Sequence, residues 1–155
     1  MNDTTIFFEA VQSGDEQQVE QLLQSQPELV FARDQRGFTP LIFATYFDKQ
    51  PIVALLLKHK AEVDATDASG NTALIGVAFK GNKSIASLLV KHGANINAKN
   101  NQGVTPLIFA AMYNKTDMVA FLLKENADPN ITDNNSKTAL DYAKAKGFKE
   151  VVELL

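Results

Sequence analysis

The chain has 155 residues, of which 45% are hydrophobic and 21% are charged, a balance typical of a folded globular domain. The net charge of −3 and the scattered basic residues argue against a nucleic-acid-binding protein, because proteins that bind phosphate backbones cluster their lysines and arginines. The absence of cysteine excludes disulfides, thiol nucleophiles and thiolate metal sites.

Hydropathy and the first residues predict the compartment. No apolar run approaches the ~20 residues that a membrane-spanning helix needs, so we expect no membrane association. The first residues also lack the basic start and long apolar run of a secretory signal. We therefore expect a cytoplasmic protein, or a periplasmic or secreted one only if a signal peptide has been removed from the sequence.

Residues 1–34 form the first of several similar predicted units. Phe7, Ala10 and Val11 have the i, i+3, i+4 spacing of one helix face, and Gly14 is placed to end that helix. A second helix is then predicted by the apolar residues Val19, Leu22 and Leu23.

Residues 35–67 show the unit most clearly. Gly37 suits a turn, Thr39 can cap a helix with its side chain, and Pro40 occupies the first helical position, where its missing N–H matters least. The helix is predicted to end at Asp48, a residue type that tolerates the left-handed conformation. A second apolar helix and a loop of turn-forming residues complete the unit.

The same unit recurs with a period of 33 residues through 68–100, 101–133 and 134–155. Several registers agree on this period, which leaves little room for chance. The capping threonine recurs as Thr39, Thr72, Thr105 and Thr138. The residue that ends the first helix recurs as Asp48, Gly81, Asn114 and Gly147. We therefore predict an all-α array of five repeats in one domain spanning 1–155.

Segments 39–41 and 105–107, both TPL, and segment 88–97, LLVKHGANIN, resemble the ankyrin repeat. The resemblance covers essentially the whole chain. It implies an ankyrin-repeat solenoid, in which helix–turn–helix units are linked by hairpin-like finger loops and a concave face is used for binding. The first and last repeats are expected to cap the stack.

The sequence departs from the family pattern in the first helices. The family usually has histidine after Thr-Pro-Leu, and here that position holds Ile42, Ile75, Ile108 and Asp141. We predict that apolar packing replaces the polar contact between repeats. Gly76 is a second departure, since its equivalents are Phe43 and Phe109. We interpret the missing side chain as room for these two rings to meet, with a functional hinge as the alternative.

No residue pattern indicates an enzyme, and we predict no catalytic residue, cofactor or metal site. Phosphate-binding and nucleophile-elbow motifs are missing. His59 and His92 lie one repeat apart, but we interpret them as surface residues near helix C-termini rather than metal ligands. The acidic residues Asp34, Asp67 and Asp133 recur with the repeat, which indicates a turn-stabilising role.

The candidate binding residues are those that the repeat does not explain. They precede the end of each first helix or follow each turn glycine, and the middle repeats make them aromatic, with polar residues at both ends. The alternative is that some rings only pack neighbouring repeats, with Phe47 as the most buried. The predicted partner-binding residues are Phe38, Tyr46, Phe47, Asn71, Phe79, Lys80, Val104, Met112, Tyr113, Lys137 and Lys146.

These residues predict a non-enzymatic protein–protein interaction module that binds another protein along the concave groove. We expect a monomer. The alternative is a self-associating scaffold protein, a homo-oligomer that uses the same patch or the C-terminal repeat.

Overall fold

Helical hairpins are the repeating unit of the described structure. The computed structural model describes residues 2–155, which contain ten α-helices, one 3-10 helix and no β-strand. The five first helices are α1 (Asp3–Ser13), α3 (Pro40–Tyr46), α5 (Ala73–Lys80), α7 (Pro106–Met112) and α9 (Ala139–Lys146). The five second helices are α2 (Glu16–Ser25), α4 (Gln50–Lys58), α6 (Lys83–Lys91), α8 (Thr116–Lys124) and α10 (Lys149–Leu154).

The helices pack in two layers, as the solenoid prediction requires. Each first helix contacts the next first helix along the chain, and each second helix contacts the next second helix. The apolar core runs continuously between the layers, from Phe7 to Val151. No hairpin covers its own apolar face completely, so the stack is stabilised by contacts between neighbouring repeats.

The predicted helix starts and stops are confirmed. Each capping threonine of the four later repeats accepts a hydrogen bond from the backbone N–H three residues ahead, as Thr39 does from Ile42 at 3.1 Å. Each first helix is followed by a residue with positive φ. These residues are Gly14, Asp48, Gly81, Asn114 and Gly147.

The isoleucines at the family's histidine position are buried, which confirms the predicted apolar packing. Ile42, Ile75 and Ile108 all belong to the core. Asp141 behaves differently, because its side chain accepts a hydrogen bond from the Thr138 N–H at 2.9 Å and forms a capping box. The departure from histidine therefore leaves the repeat geometry intact.

The fingers, at residues 34–38, 67–71, 100–104 and 133–137, share one hydrogen-bond pattern. In each finger, the first side chain accepts hydrogen bonds from the backbone N–H groups two and four residues later. This confirms the predicted turn-stabilising role of the aspartates. The last three fingers are also joined, since the Asn101 N–H donates to the Ser69 carbonyl at 3.0 Å and the Asn134 N–H to the Gln102 carbonyl at 2.9 Å.

The first repeat contains an element that we did not predict. Its closing loop folds into a 3-10 helix, Pro27–Phe31, which buries Leu29 and Val30 but leaves the Phe31 ring 54% exposed. This loop contains a proline at the start of the 3-10 helix, and at residues 24–34 it is one residue longer than the equivalent loops of the later repeats. At the other end of the chain, Leu154 in α10 is exposed.

We expect alanine at Gly70 to destabilise the protein more than alanine at Gly93. Both glycines have positive φ, a conformation that costs other residues roughly 1–2 kcal/mol. A Cβ at Gly70 would also lie 2.8 Å from the Asn101 backbone nitrogen, whereas a Cβ at Gly93 would meet nothing within 4 Å. Urea unfolding should show roughly 1–3 kcal/mol more destabilisation for Gly70→Ala. If both variants lost the same free energy of unfolding, the contact between fingers would not contribute to stability.

A second expectation concerns the last finger, where the Tyr142 hydroxyl donates to the buried Asp133 carboxylate. Burial raises the pKa of Asp133, but the hydrogen bonds from Tyr142 and from the Lys137 and Asn135 N–H groups outweigh it and leave that pKa below the ordinary 3.8. The stabilisation is therefore present above the ordinary pKa and is lost as the pH falls through the lowered one.

Tyr142→Phe should lower the free energy of unfolding at pH 7 by roughly 1.5–3 kcal/mol, since the hydroxyl donates to a charged acceptor. The difference from wild type should narrow at a second, acidic pH low enough to protonate this carboxylate, below its lowered pKa. Urea unfolding at both pH values measures it. Tyr46→Phe is the control, because the Tyr46 hydroxyl makes no hydrogen bond within residues 2–155. A pH-independent difference would contradict the role of the ionised carboxylate.

Candidate binding groove

A groove lies between the fingers and the first helices. In the middle of the stack it includes a pocket of about 430 Å³ between the second and third repeats. Its lining includes residues of both the fingers and the first helices, the two sets from which the sequence-predicted residues come. The lining of this Gly76 pocket includes Phe38, Ile42, Tyr46, Asn71, Gly76 and Phe79.

Three aromatic rings along the groove are strongly exposed. Tyr46, Phe79 and Tyr113 have 55%, 46% and 43% of their surface accessible, and they occupy successive repeats. Large apolar side chains with this exposure are few in the described part of the chain, and the others, Phe31 and Leu154, lie on different elements. The predicted residues Phe38, Phe47 and Met112 are half-buried and pack against the core. We call these six groove residues the aromatic patch.

The exposed rings are held by contacts with neighbouring aromatic rings. Tyr46 meets Phe47 edge-on with centroids 5.1 Å apart, and Phe47 meets the buried Phe43 at 4.9 Å. In the next repeats, Phe79 meets Tyr113 edge-on at 4.7 Å. Such pairs are favourable beyond simple burial, so they fix the orientation of the exposed rings. The patch is therefore an apolar surface whose exposed rings are supported by neighbouring rings.

Two lysines connect successive first helices across the groove. Lys80 Nζ contacts the Tyr46 carbonyl and lies 5.2 Å from the Tyr46 ring centroid. Lys146 Nζ donates to the Met112 carbonyl at 3.2 Å and lies 5.3 Å from the Tyr113 ring centroid. Each lysine thus satisfies a carbonyl at the C-terminal end of a helix, where a positive charge is favourable.

Lys80 also forms an ion pair with Asp48 at 2.9 Å. Burial raises the pKa of Asp48, but the hydrogen bonds from Lys80 and Asn82 outweigh it, so that the pKa lies below its ordinary value. Both groups are partly exposed, and pairs of this kind add little stability. We therefore interpret Lys80 as a residue that shapes the groove and keeps its charge at the surface.

The prediction is wrong for one binding residue, Val104. Val104 follows a turn glycine like Phe38, but it is only 3% exposed, so its side chain cannot be contacted from the groove. The Val104 side chain packs in the core, where an aliphatic side chain is more favourable than in water. Among the rings of the predicted set, Phe47 and Phe38 are half-buried, whereas Tyr46, Phe79 and Tyr113 are exposed.

The two other predicted finger residues occupy different environments. Asn71 is half-buried, and its side-chain carbonyl accepts a hydrogen bond from the Asn100 amide at 2.9 Å. Lys137 is exposed at the last finger. Sequence reasoning missed Arg36, whose guanidinium carbon lies 4.6 Å from the Phe38 ring centroid. Its position directly before the turn glycine is the signal that could have placed it beside Phe38.

The prediction for Gly76 is wrong. We expected the missing side chain to let Phe43 and Phe109 meet, but these rings pack within separate clusters, on Phe8 and Phe47 and on Phe79 and Tyr113 respectively. A Cβ built at Gly76 would meet no atom within 4 Å outside its own helix. The absent side chain therefore leaves open space, which is part of the Gly76 pocket.

The histidines have the predicted helix-end positions. His59 and His92 are the C-cap residues of α4 and α6. His59 Nε2 also lies 2.9 Å from a Glu20 carboxylate oxygen of the neighbouring second helix, and this hydrogen bond lowers the pKa of Glu20. Among residues 2–155, no group of three His, Asp or Glu side chains could hold a metal ion.

Comparison with protein families gives two matches that together cover residues 7–143. A model described as ankyrin repeats (3 copies) matches residues 7–100, and one described as ankyrin repeats (many copies) matches residues 89–143. The chain belongs to the ankyrin-repeat family. Ankyrin repeats are in general protein–protein interaction modules and are typically non-enzymatic.

Two further findings concern the same ankyrin-repeat chain. A comparison with curated proteins found none that matches it. Within the described residues, no helix is long and apolar enough to cross a membrane.

We expect Gly76→Ala to stabilise this ankyrin-repeat domain by about 1 kcal/mol. Glycine in a helix interior is less favourable than alanine by that amount, and the new Cβ would meet no neighbour. Urea unfolding of wild type and variant measures the difference. A loss of stability would mean that the space above Gly76 is filled by a neighbour in solution.

Proposed function

We propose that this protein is a non-enzymatic interaction module that binds another protein along its groove through the aromatic patch. The observation that carries the proposal is the row of exposed rings, Tyr46, Phe79 and Tyr113, on three successive repeats. Contiguous exposed apolar surface of this kind marks interaction sites in globular proteins.

The composition of the groove supports the proposal. Tyrosine is enriched among the residues that dominate binding energy at protein interfaces, and such residues lie in a centre surrounded by polar neighbours. Here the aromatic centre is flanked by Arg36 at one end and by Lys146 at the other. Fixed rings lose little conformational freedom on binding, which favours affinity.

A second candidate function is self-association into a structural homo-oligomer. The observation that favours it is the exposed Leu154 in α10, with Val152 and Leu155 half-buried nearby. Apolar side chains on a terminal helix could pack against a second copy. This surface is remote in the chain from Tyr46 and Phe79, so substitutions can separate the two candidates.

The test is affinity capture from a lysate of the source cells, with bound proteins identified by mass spectrometry. We expect the triple variant Tyr46→Glu, Phe79→Glu, Tyr113→Glu to lose a protein that the wild type retains. Each substitution places a charge where an apolar contact would be desolvated, which costs several kcal/mol in a protein interface. Circular dichroism and thermal melting must first show that the variant is folded.

The matched control is Phe31→Glu, because Phe31 is as exposed as Tyr46 but lies on the 3-10 helix of the first repeat. We expect this control to retain the partner. Equal capture by wild type and the triple variant would contradict the proposal. If light scattering showed a wild-type oligomer that Leu154→Glu dissociates, self-association would be the better account.

A further inference from the structure

The hydrogen bonds that join neighbouring fingers do not reach the first finger, residues 34–38. The third finger is joined to the second by the Asn101 backbone N–H, which donates to the Ser69 carbonyl, and by the Asn101 side-chain amide, which donates to the Ala68 carbonyl at 3.2 Å. Asn134 makes the same two bonds from the fourth finger to the third. Within the described part of the chain, no hydrogen bond joins the first finger to the second.

The break in this pattern coincides with Ala68. This residue has the position of Asn101 and Asn134 in its own finger, but its methyl group cannot donate a hydrogen bond. The first two fingers are also further apart, since a Cβ built at Gly37 would lie 3.6 Å from the Ala68 backbone nitrogen. The corresponding distances between the later fingers are 2.8 and 3.0 Å. Ala68 is exposed, so its N–H can bond to water instead.

The first finger nevertheless keeps its own shape. Its first side chain, Asp34, accepts hydrogen bonds from two N–H groups of the same finger at 2.9 Å. At its base, the Arg33 guanidinium donates to the Gly37 carbonyl at 2.8 Å and to the Thr66 carbonyl at 2.6 Å. Arg33 is exposed, so water competes for these bonds. The finger is therefore an internally rigid turn that an exposed side chain fastens to the start of the next finger.

The other side of the first finger faces open space. A pocket of about 440 Å³ lies between this finger and α1, and its lining includes Phe8, Gln35, Arg36 and Phe43. We call it the N-terminal pocket. The Arg36 guanidinium carbon at the tip of the finger lies 5.8 Å from the Phe43 ring centroid. Movement of the tip toward α1 therefore meets no other finger and changes how far Arg36 covers Phe43.

We propose that the first finger is a mobile lid, which pivots at its base beside Arg33 and swings between the second finger and the N-terminal pocket. The other three fingers move as one row, because hydrogen bonds join each to its neighbour. Segments with few contacts and exposed hydrogen bonds are the ones that open most easily. The movement is a property of the folded chain alone and is therefore independent of the proposed function.

The experiment is a ¹⁵N relaxation measurement by NMR on the full chain. Order parameters report movement on the ps–ns timescale, and relaxation dispersion reports μs–ms exchange. We expect the N–H groups of Arg36 and Gly37 to show order parameters below about 0.6 or clear dispersion. The equivalent groups of Asn135 and Ser136 should have order parameters near about 0.85 and no dispersion. The fourth finger is the matched control, because it also ends the row but is bonded to its neighbour.

Three variants test the cause of the movement. Ala68→Asn supplies the side chain that joins the later fingers, and Gly37 offers it the same space as Gly70 because neither has a Cβ. We expect this variant to reduce the mobility of Arg36 and Gly37 to that of the fourth finger. Ala68→Leu has a side chain of similar size without a donor, so it should leave the mobility unchanged. Arg33→Met removes both bonds at the base and should increase it. Thermal melting must first show that each variant is folded.

Several results would overturn the inference. One is equal order parameters at the first and fourth fingers, with dispersion at neither. Another is an equal reduction of mobility by Ala68→Asn and Ala68→Leu, since the missing hydrogen bond would then not be its cause. Unchanged mobility in Arg33→Met would contradict the pivot at the base. Capture by the Tyr46→Glu, Phe79→Glu, Tyr113→Glu variant bears on none of these outcomes, so the lid and the groove function can fail separately.

Discussion

Each helical hairpin of this protein leaves an apolar face that only the next hairpin covers, and the rest of the structure depends on that contact. Leu41, Leu74 and Leu107 are buried at equivalent positions, so each repeat sets the position of its neighbour. The fingers follow the same spacing, and backbone hydrogen bonds join the second finger to the third and the third to the fourth. Because every hairpin buries the same apolar face, equivalent residues of successive repeats line the groove at regular intervals.

The pairing of charges in the groove has the same origin. The chain has 18 acidic and 15 basic residues, and in the groove Arg36 pairs with Asp34 and Lys80 with Asp48. The recurring finger aspartates turn their carboxylates toward backbone N–H groups, which removes much of their charge from the surface. Lys80 and Lys146 extend over aromatic rings instead, with their ammonium groups still accessible. The repeating turn thus fixes where the acidic groups lie relative to the aromatic rings of the groove.

Features that recur in every repeat could be predicted from the sequence. Features that occur only once could not. The capping threonines, the residues with positive φ and the buried isoleucines were predicted correctly, because several copies of each pattern reinforce one another. The exposure of Tyr46, Phe79 and Tyr113 was also predicted, since helical spacing places them opposite the buried face. These positions follow from the period and the helix geometry alone.

Val104 and Phe31 show where such reasoning ends. The repeat register places Val104 at the same position as Phe38, but the register does not say whether a side chain turns inward or outward. That choice depends on the space left by neighbouring side chains, which no spacing rule contains. Phe31 lies in a loop longer than its counterparts, where the period gives no guidance, and its 3-10 helix depends on local packing of Leu29 and Val30.

Gly76 shows how the two kinds of information combine. The sequence identified it as an exception, and intrinsic propensity says that it weakens its helix by about 1 kcal/mol relative to alanine. A packing role would explain the glycine if a neighbour occupied the space, but no neighbouring atom lies within 4 Å of the missing Cβ. Nothing in the folded chain therefore offsets the unfavourable residue. Locally unfavourable residues without a structural compensation are expected at functional sites, and here the open space lies among the exposed rings of the groove.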